Sequence, residues 1–238
     1  MKADTQQSPL ARRSFLARMS AGAAAVGAVF TGRRVEAAAA DSPGPGWVPA
    51  RHGEDDWLDS TPAAKHRMFY DTVSPGAAAQ AIFFARNFFS ASTSGYKLSD
   101  AEVAQVICLR HQSTGFAFTD AMWAKYGFAL SERAGHFLDP KTSKPPTINV
   151  LMSADYGSLL NNGGVTIDAL AKRGVRFAVC GMATRAIANV VTQKTGADID
   201  AVFKELTENL VPNGHMVPAG IVAVNRAQER GYTFSYVA

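Results

Sequence analysis

The chain has 238 residues, 47% of them hydrophobic and 18% charged, with a formal net charge of +4. Its two cysteines, Cys108 and Cys180, are too few for a disulfide scaffold, although in an oxidising compartment they remain free to pair with each other. Six of the 24 Lys and Arg residues and two of the 20 Asp and Glu residues lie in residues 1–40, so residues 41–238 carry 18 of each and no net charge. That balance gives no reason to expect nucleic acid as a partner.

In chain order, the first feature is a removable segment. Ala11-Arg12-Arg13-Ser14-Phe15-Leu16-Ala17 has the form of a twin-arginine export motif. A weakly apolar run over 19–30 follows, shorter than the roughly 20 residues a membrane span needs. Ala37-Ala38-Ala39-Ala40 then suits signal peptidase. Residues 1–40 are therefore read as a secretory signal rather than a retained anchor. The mature protein is expected in the periplasm with no membrane segment. Twin-arginine export carries folded proteins, which leaves a bound cofactor open without identifying one. About 198 residues remain, the size of one ordinary domain.

Residues 41–62 hold four prolines, three glycines and the acidic run Glu54-Asp55-Asp56. They read as an extended lead-in, with Trp47 and Trp57 as anchors and the acidic run as solvated surface. A first strand is expected over 65–72. After the turn Ser74-Pro75-Gly76 comes a helix over 77–90 that buries Ile82, Phe83, Phe84, Phe88 and Phe89. Ser99-Asp100-Ala101-Glu102 has the form of a cap before a second strand over 103–109. That strand ends in Arg110-His111, followed by Gln112-Ser113-Thr114-Gly115 and a helix over 116–126. Strand, polar turn and helix make an anion cradle, though without the glycine spacing of a phosphate-binding loop. Residues 127–147, with Pro140, Pro145 and Pro146, read as an irregular insertion on the carboxyl side of the sheet, a lid or an oligomer contact. Residues 148–152 read as a short strand or as part of that insertion.

The stretch Arg173-Gly174-Val175-Arg176-Phe177-Ala178-Val179-Cys180 organises the rest. Gly174 closes a helical pattern over 165–173, and the short apolar, β-branched run after it reads as a buried parallel strand. A helical pattern resumes at once, so Cys180 is expected where a central strand ends and a helix begins. Ligands bind outside the carboxyl ends of such strands, and the positive end of a helix dipole favours a thiolate. Helices are then expected over 183–194 and over 198–210, the latter capped by Asp198. A short strand over 214–220 runs into a turn. A helix over 221–230 is closed by Gly231, and a last strand covers 232–237. This alternation predicts an α/β three-layer sandwich with a mainly parallel sheet of about five strands.

Three segments carry a resemblance: Gly174-Val175-Arg176-Phe177-Ala178-Val179-Cys180-Gly181, Val217-Pro218-Ala219-Gly220-Ile221-Val222 and Arg226-Ala227-Gln228-Glu229-Arg230-Gly231-Tyr232. Together they resemble the DsrE-like family, in its exported branch with a twin-arginine signal, over roughly 63–237. The resemblance implies a three-layer, flavodoxin-like α/β fold and a homo-oligomer, a trimer or hexamer. It also implies that Cys180 occupies the position at which some members carry sulfur as a persulfide, handing it to a thiol or sulfur-carrier partner. The insertion over 127–147 is longer than in compact sulfur-relay subunits.

Cys180 is therefore the candidate nucleophile, while Cys108, inside the second strand, is expected to pack in the core. His111 is a candidate base for the same crevice. Arg110, Thr184 and Arg185 are candidate anion contacts. His52, His66, His136 and His215 show no metal-ligand spacing, so no metal is expected, and no cofactor is identified. Two functions remain open: a sulfur carrier or thiol-based sulfur transferase, and a non-catalytic small-ligand-binding or assembly protein using the same crevice. For the first segment, mass spectrometry of exported protein is expected to find the mature N-terminus near Ala40.

Overall fold

The computed structural model describes Gly46 and residues 48–238. The expected signal, its cleavage point and Trp47 lie outside the described residues. Five runs become strands β1 (His66–Thr72), β2 (Val103–Leu109), β3 (Arg176–Cys180), β4 (Gly214–Val217) and β5 (Thr233–Val237). All pair in parallel, in the order β4-β3-β2-β1-β5. β2 is buried along its whole length, as a continuous apolar run at the centre of a parallel sheet requires. The expected α/β fold with its parallel five-stranded sheet is what the chain adopts.

Six helices join the strands: α1 (Pro75–Tyr96), α2 (Asp120–Arg133), α3 (Ile167–Lys172), α4 (Gly181–Thr195), α5 (Ile199–Glu208) and α6 (Gly220–Glu229). Local chemistry sets their ends. The Ser74 hydroxyl accepts from the Ala77 N–H at 3.1 Å with Pro75 at the first helical position, and Asp198 caps α5 in the same way. Steps from β1 to β4 all move one way across the sheet, and the step from β4 to β5 returns across it. Right-handed crossovers place helices of opposite steps on opposite faces. Accordingly α1 to α5 cover one face, over a core that includes Phe89, Ile107, Trp123 and Phe177. Of these six helices α6 alone covers the other, over Phe69, Val106 and Ala178.

One helix cannot cover five strands, and residues 50–62 complete that thin layer. This corrects the reading of an extended lead-in, and of the acidic run only Asp55 departs from the solvated surface expected. Gly53–Asp59 forms a 3-10 helix whose Leu58 and Asp55 are buried. Asp55 accepts from Arg226 Nε at 2.9 Å, and Asp59 accepts from Arg67 at 2.8 Å and from Arg230. Partial burial pushes the Asp59 carboxyl up, but the hydrogen bonds from Arg67 and Arg230 outweigh it and hold the group below the usual carboxylate range. Glu54 and Asp56 stay exposed.

The helix expected over 116–126 is also corrected. Asn149 Nδ2 donates to the Phe116 and Phe118 carbonyls, both at 2.8 Å, and takes them out of any helical ladder. Residues 111–117 instead form a 3-10 turn, and α2 runs seven residues past Tyr126 to Arg133. Residues 148–152 belong to the insertion and pair in no strand. No described helix is long and apolar enough to cross a membrane.

Trp57 of the 3-10 segment stacks on His215 of β4, with ring centroids 4.4 Å apart and planes 5° from parallel. Burial, helped by the nearby Arg176 charge, lowers the His215 pKa below its ordinary value of 6.5. The unfolded chain then binds more protons between the two values. This contribution to stability is complete above pH 6.5 and is lost as pH falls through the lowered folded value. Melting temperature should fall between about pH 7 and pH 5, the histidine range, and His215→Gln should flatten that part of the profile.

Candidate functional site

β3 leads into α4 on one face of the sheet, and its neighbour β4 leads into α6 on the other. The gap between these diverging connections is the switch point at which open α/β sheets bind ligands. A cavity of about 260 Å³ lies there, with Cys180, Arg110, His111, Arg133, Gly220 and Ile221 in its lining. Of the five residues expected at the site, three meet in it: Cys180, His111 and Arg110.

Cys180 is the last residue of β3 and the N-cap of α4. It is 7% exposed, whereas Cys108 is 0% exposed. Its side chain makes no capping hydrogen bond, and Ala219, the N-cap of α6, has no side-chain acceptor. The first N–H groups of a helix have no intrahelical partner. Two helices thus begin at this cavity with their positive ends uncapped by side chains.

Arg110 is not a free cation. Its Nε and a terminal nitrogen grip Asp71 Oδ1 and Oδ2 at 2.6 and 2.8 Å, and Asp71 is 2% exposed. The pair fixes the end of β2 to the end of β1 and leaves little net charge facing the cavity. His111 follows with φ 56, in the left-handed region that non-glycine residues seldom adopt. The turn is held there by Gln112 N–H donating to the Val73 carbonyl at 3.1 Å and Arg110 N–H donating to Ser113 Oγ at 2.9 Å. Such outliers persist where surrounding bonds impose them, and they cluster at functional sites.

Thr184 and Arg185 are not brought into the lining. The Thr184 hydroxyl is buried and donates to the Cys180 carbonyl at 2.9 Å, so it positions the Cys180 backbone. Arg185 pairs with Asp200 at 2.5 Å and lies over the Phe203 ring, against α5. The anion cradle expected from Ser113 and Thr114 is also corrected. Both residues are fully buried, with their hydroxyls bonded to Thr72, Arg110 and Leu109.

Sequence reasoning missed Arg133. It closes α2, and the misplaced end of that helix had put it among irregular residues. Of residues 127–147, it alone lines the cavity. Its Nε is buried without a hydrogen-bond partner among the described residues.

Cys108 lies beneath the site and donates weakly to the Gly220 carbonyl at 3.8 Å. Burial, then the Asp71 charge, pushes its thiol well above the ordinary range. Both cysteines are free. Among the described residues no three histidine, cysteine or carboxylate side chains gather as a metal site.

Comparison of the chain with protein-family models, with curated proteins and with solved structures finds no match. The reading of the site therefore rests on its own geometry.

Gly220 is the tightest contact of that geometry on the α6 side. A Cβ there would stand 2.6 Å from Arg110 Cβ and 3.1 Å from Cys108 Sγ. Gly220→Ala should cost about 1–3 kcal/mol of stability by overpacking, read by denaturant unfolding. It should also slow modification of Cys180 by displacing the start of α6.

Proposed function

We propose that the protein is a thiol-based sulfur carrier that accepts sulfur on Cys180 as a persulfide. The observation that carries this is the contrast between its two thiols. Cys180 lines a cavity at the switch point, where two helices begin, while Cys108 is sealed below it. A thiolate is the attacking species in sulfur exchange, and uncapped helix N-termini favour an anion. His111, in the same lining, is the base that receives the thiol proton.

The step balances without an added oxidant. The Cys180 thiolate attacks the outer sulfur of a donor persulfide R–S–SH. A bond forms between Cys180 Sγ and that sulfur, the donor S–S bond breaks, and R–S⁻ leaves with the electron pair. A second thiol then takes the outer sulfur from Cys180 by the same exchange. The resemblance to the DsrE-like family supports this reading. It extends it to a homo-oligomer exported by the twin-arginine route to the periplasm, where a protein thiol is the acceptor.

Anaerobic incubation with polysulfide should add about 32 daltons per sulfur accepted, measured on the intact chain. Cys180→Ser should abolish the increment and Cys108→Ser should keep it. An increment that survives Cys180→Ser, or none on the native chain, sinks the carrier reading and leaves the crevice a site for unreacting small ligands.

A further inference from the structure

We propose that Arg133 selects the substrate at Cys180, and that the substrate is a small anion carrying its transferable sulfur beside a sulfonate-like group, represented by thiosulfate. The chemistry of transfer rests on the sulfur-carrier reading above. The charge selection rests on separate observations.

Among the described residues no carboxylate lines the cavity. Of the two guanidinium groups in the lining, Arg110 is neutralised by the nearly buried Asp71. Arg133 is not matched in this way. Its Nε is enclosed without a hydrogen-bond partner among the described residues, and the adjacent acid, Glu132, is ion-paired to Lys194 and reaches Arg133 only through its weaker, longer-range field. A partly buried cation without a paired carboxylate loses hydration that an anion in the cavity can restore. The beginnings of α4 and α6 add positive potential at the same cavity. A guanidinium without an ion-paired carboxylate, two helix starts and a sulfur nucleophile around about 260 Å³ describe a receptor for a small reactive anion. A guanidinium fork matches the oxygens of a tetrahedral oxyanion, to which it donates in parallel.

With thiosulfate the step balances. The Cys180 thiolate attacks the outer, sulfane sulfur, and an Sγ–S bond forms. The S–S bond to the sulfonate sulfur breaks, and sulfite leaves with the electron pair. The charge is the same before and after, and no oxidant or reductant is consumed. Arg133 holds the sulfonate oxygens of the donor and then the departing sulfite.

The test compares anionic iodoacetate with neutral iodoacetamide as alkylating agents for Cys180 in the full chain, with glutathione as the free-thiol reference. The native iodoacetate-to-iodoacetamide rate ratio should exceed that of glutathione. Arg133→Gln should lower it by about three- to tenfold, the effect of removing one charge-assisted contact, and Arg133→Lys should keep most of it. A ratio unchanged by Arg133→Gln, or a Cys180 that reacts with neither reagent, overturns the proposal. Sulfur loading separates the two readings. Loading from polysulfide but not from thiosulfate overturns the substrate class and leaves the carrier reading standing. A charge-selective Cys180 that no donor loads upholds Arg133 as the selecting cation and removes the carrier reading.

Discussion

The Asp71–Arg110 pair is the constraint on which the site depends. Asp71 sits near the end of β1 and is in register with Cys108 on β2 and Tyr236 on β5, so its carboxylate lies under the thin face of the sheet. A carboxylate at 2% exposure is tolerable only with a partner that fills both oxygens, and the planar fork of Arg110 does so. Breaking such a pair by removing one member costs about 3–5 kcal/mol, because the other charge stays buried. The cost would not stay local. The Arg110 stem is the surface against which Gly220 packs, and Gly220 begins α6. One ion pair therefore joins the ends of β1 and β2 to the start of the helix that closes the cavity.

Handedness explains why the cavity lies where it does. A chain that takes three strand-to-strand steps one way and then returns must put its return helix on the second face. The crowded face has α1 to α5 and a large apolar core, while the other has α6 and a 3-10 segment. The two systems part company between β3 and β4, and the loops there cannot close over each other. The opening at Cys180 is thus a consequence of topology before it is a property of any side chain. What the side chains add is a thiol in place of an ordinary cap and a matched ion pair beside an unmatched arginine.

Much of this was legible in order along the chain. Gly174, the β-branched run after it and the immediate return of helical pattern placed Cys180 correctly at a strand-to-helix junction. That reading works because the signals are local. Arg133 was illegible for the opposite reason. The helix that carries it starts late because the Asn149 amide, some thirty residues away, occupies the Phe116 and Phe118 carbonyls. Within the acidic run, Asp55 alone departs from the solvated surface expected, for the same reason: it finds Arg226 at a separation of 171 residues, which no window along the chain can reveal. Thr184 and Arg185 follow Cys180 closely but point along different directions of α4. Proximity in sequence carried them into the expected site, and helical geometry took them out.

The two thiols show how position on one sheet face divides chemical roles. Cys108 is in register with Ala178, two residues before Cys180 on the same face. Strand spacing and rise put such diagonal neighbours roughly 8 Å apart at Cα, beyond the reach of a disulfide without backbone movement. Both therefore remain thiols, as observed. They differ because β2 continues past Cys108 to Leu109 before the chain turns, whereas β3 ends at Cys180. A residue inside the strand lies under α6 and next to Asp71, where burial and a neighbouring charge both oppose ionisation. A residue at the strand end meets two helix starts and the cavity. At the end of the strand the thiol reaches the lining of the cavity, whereas one strand position inside the sheet it is sealed. The reactivity proposed for Cys180 and the inertness of Cys108 are thus two outcomes of one sheet.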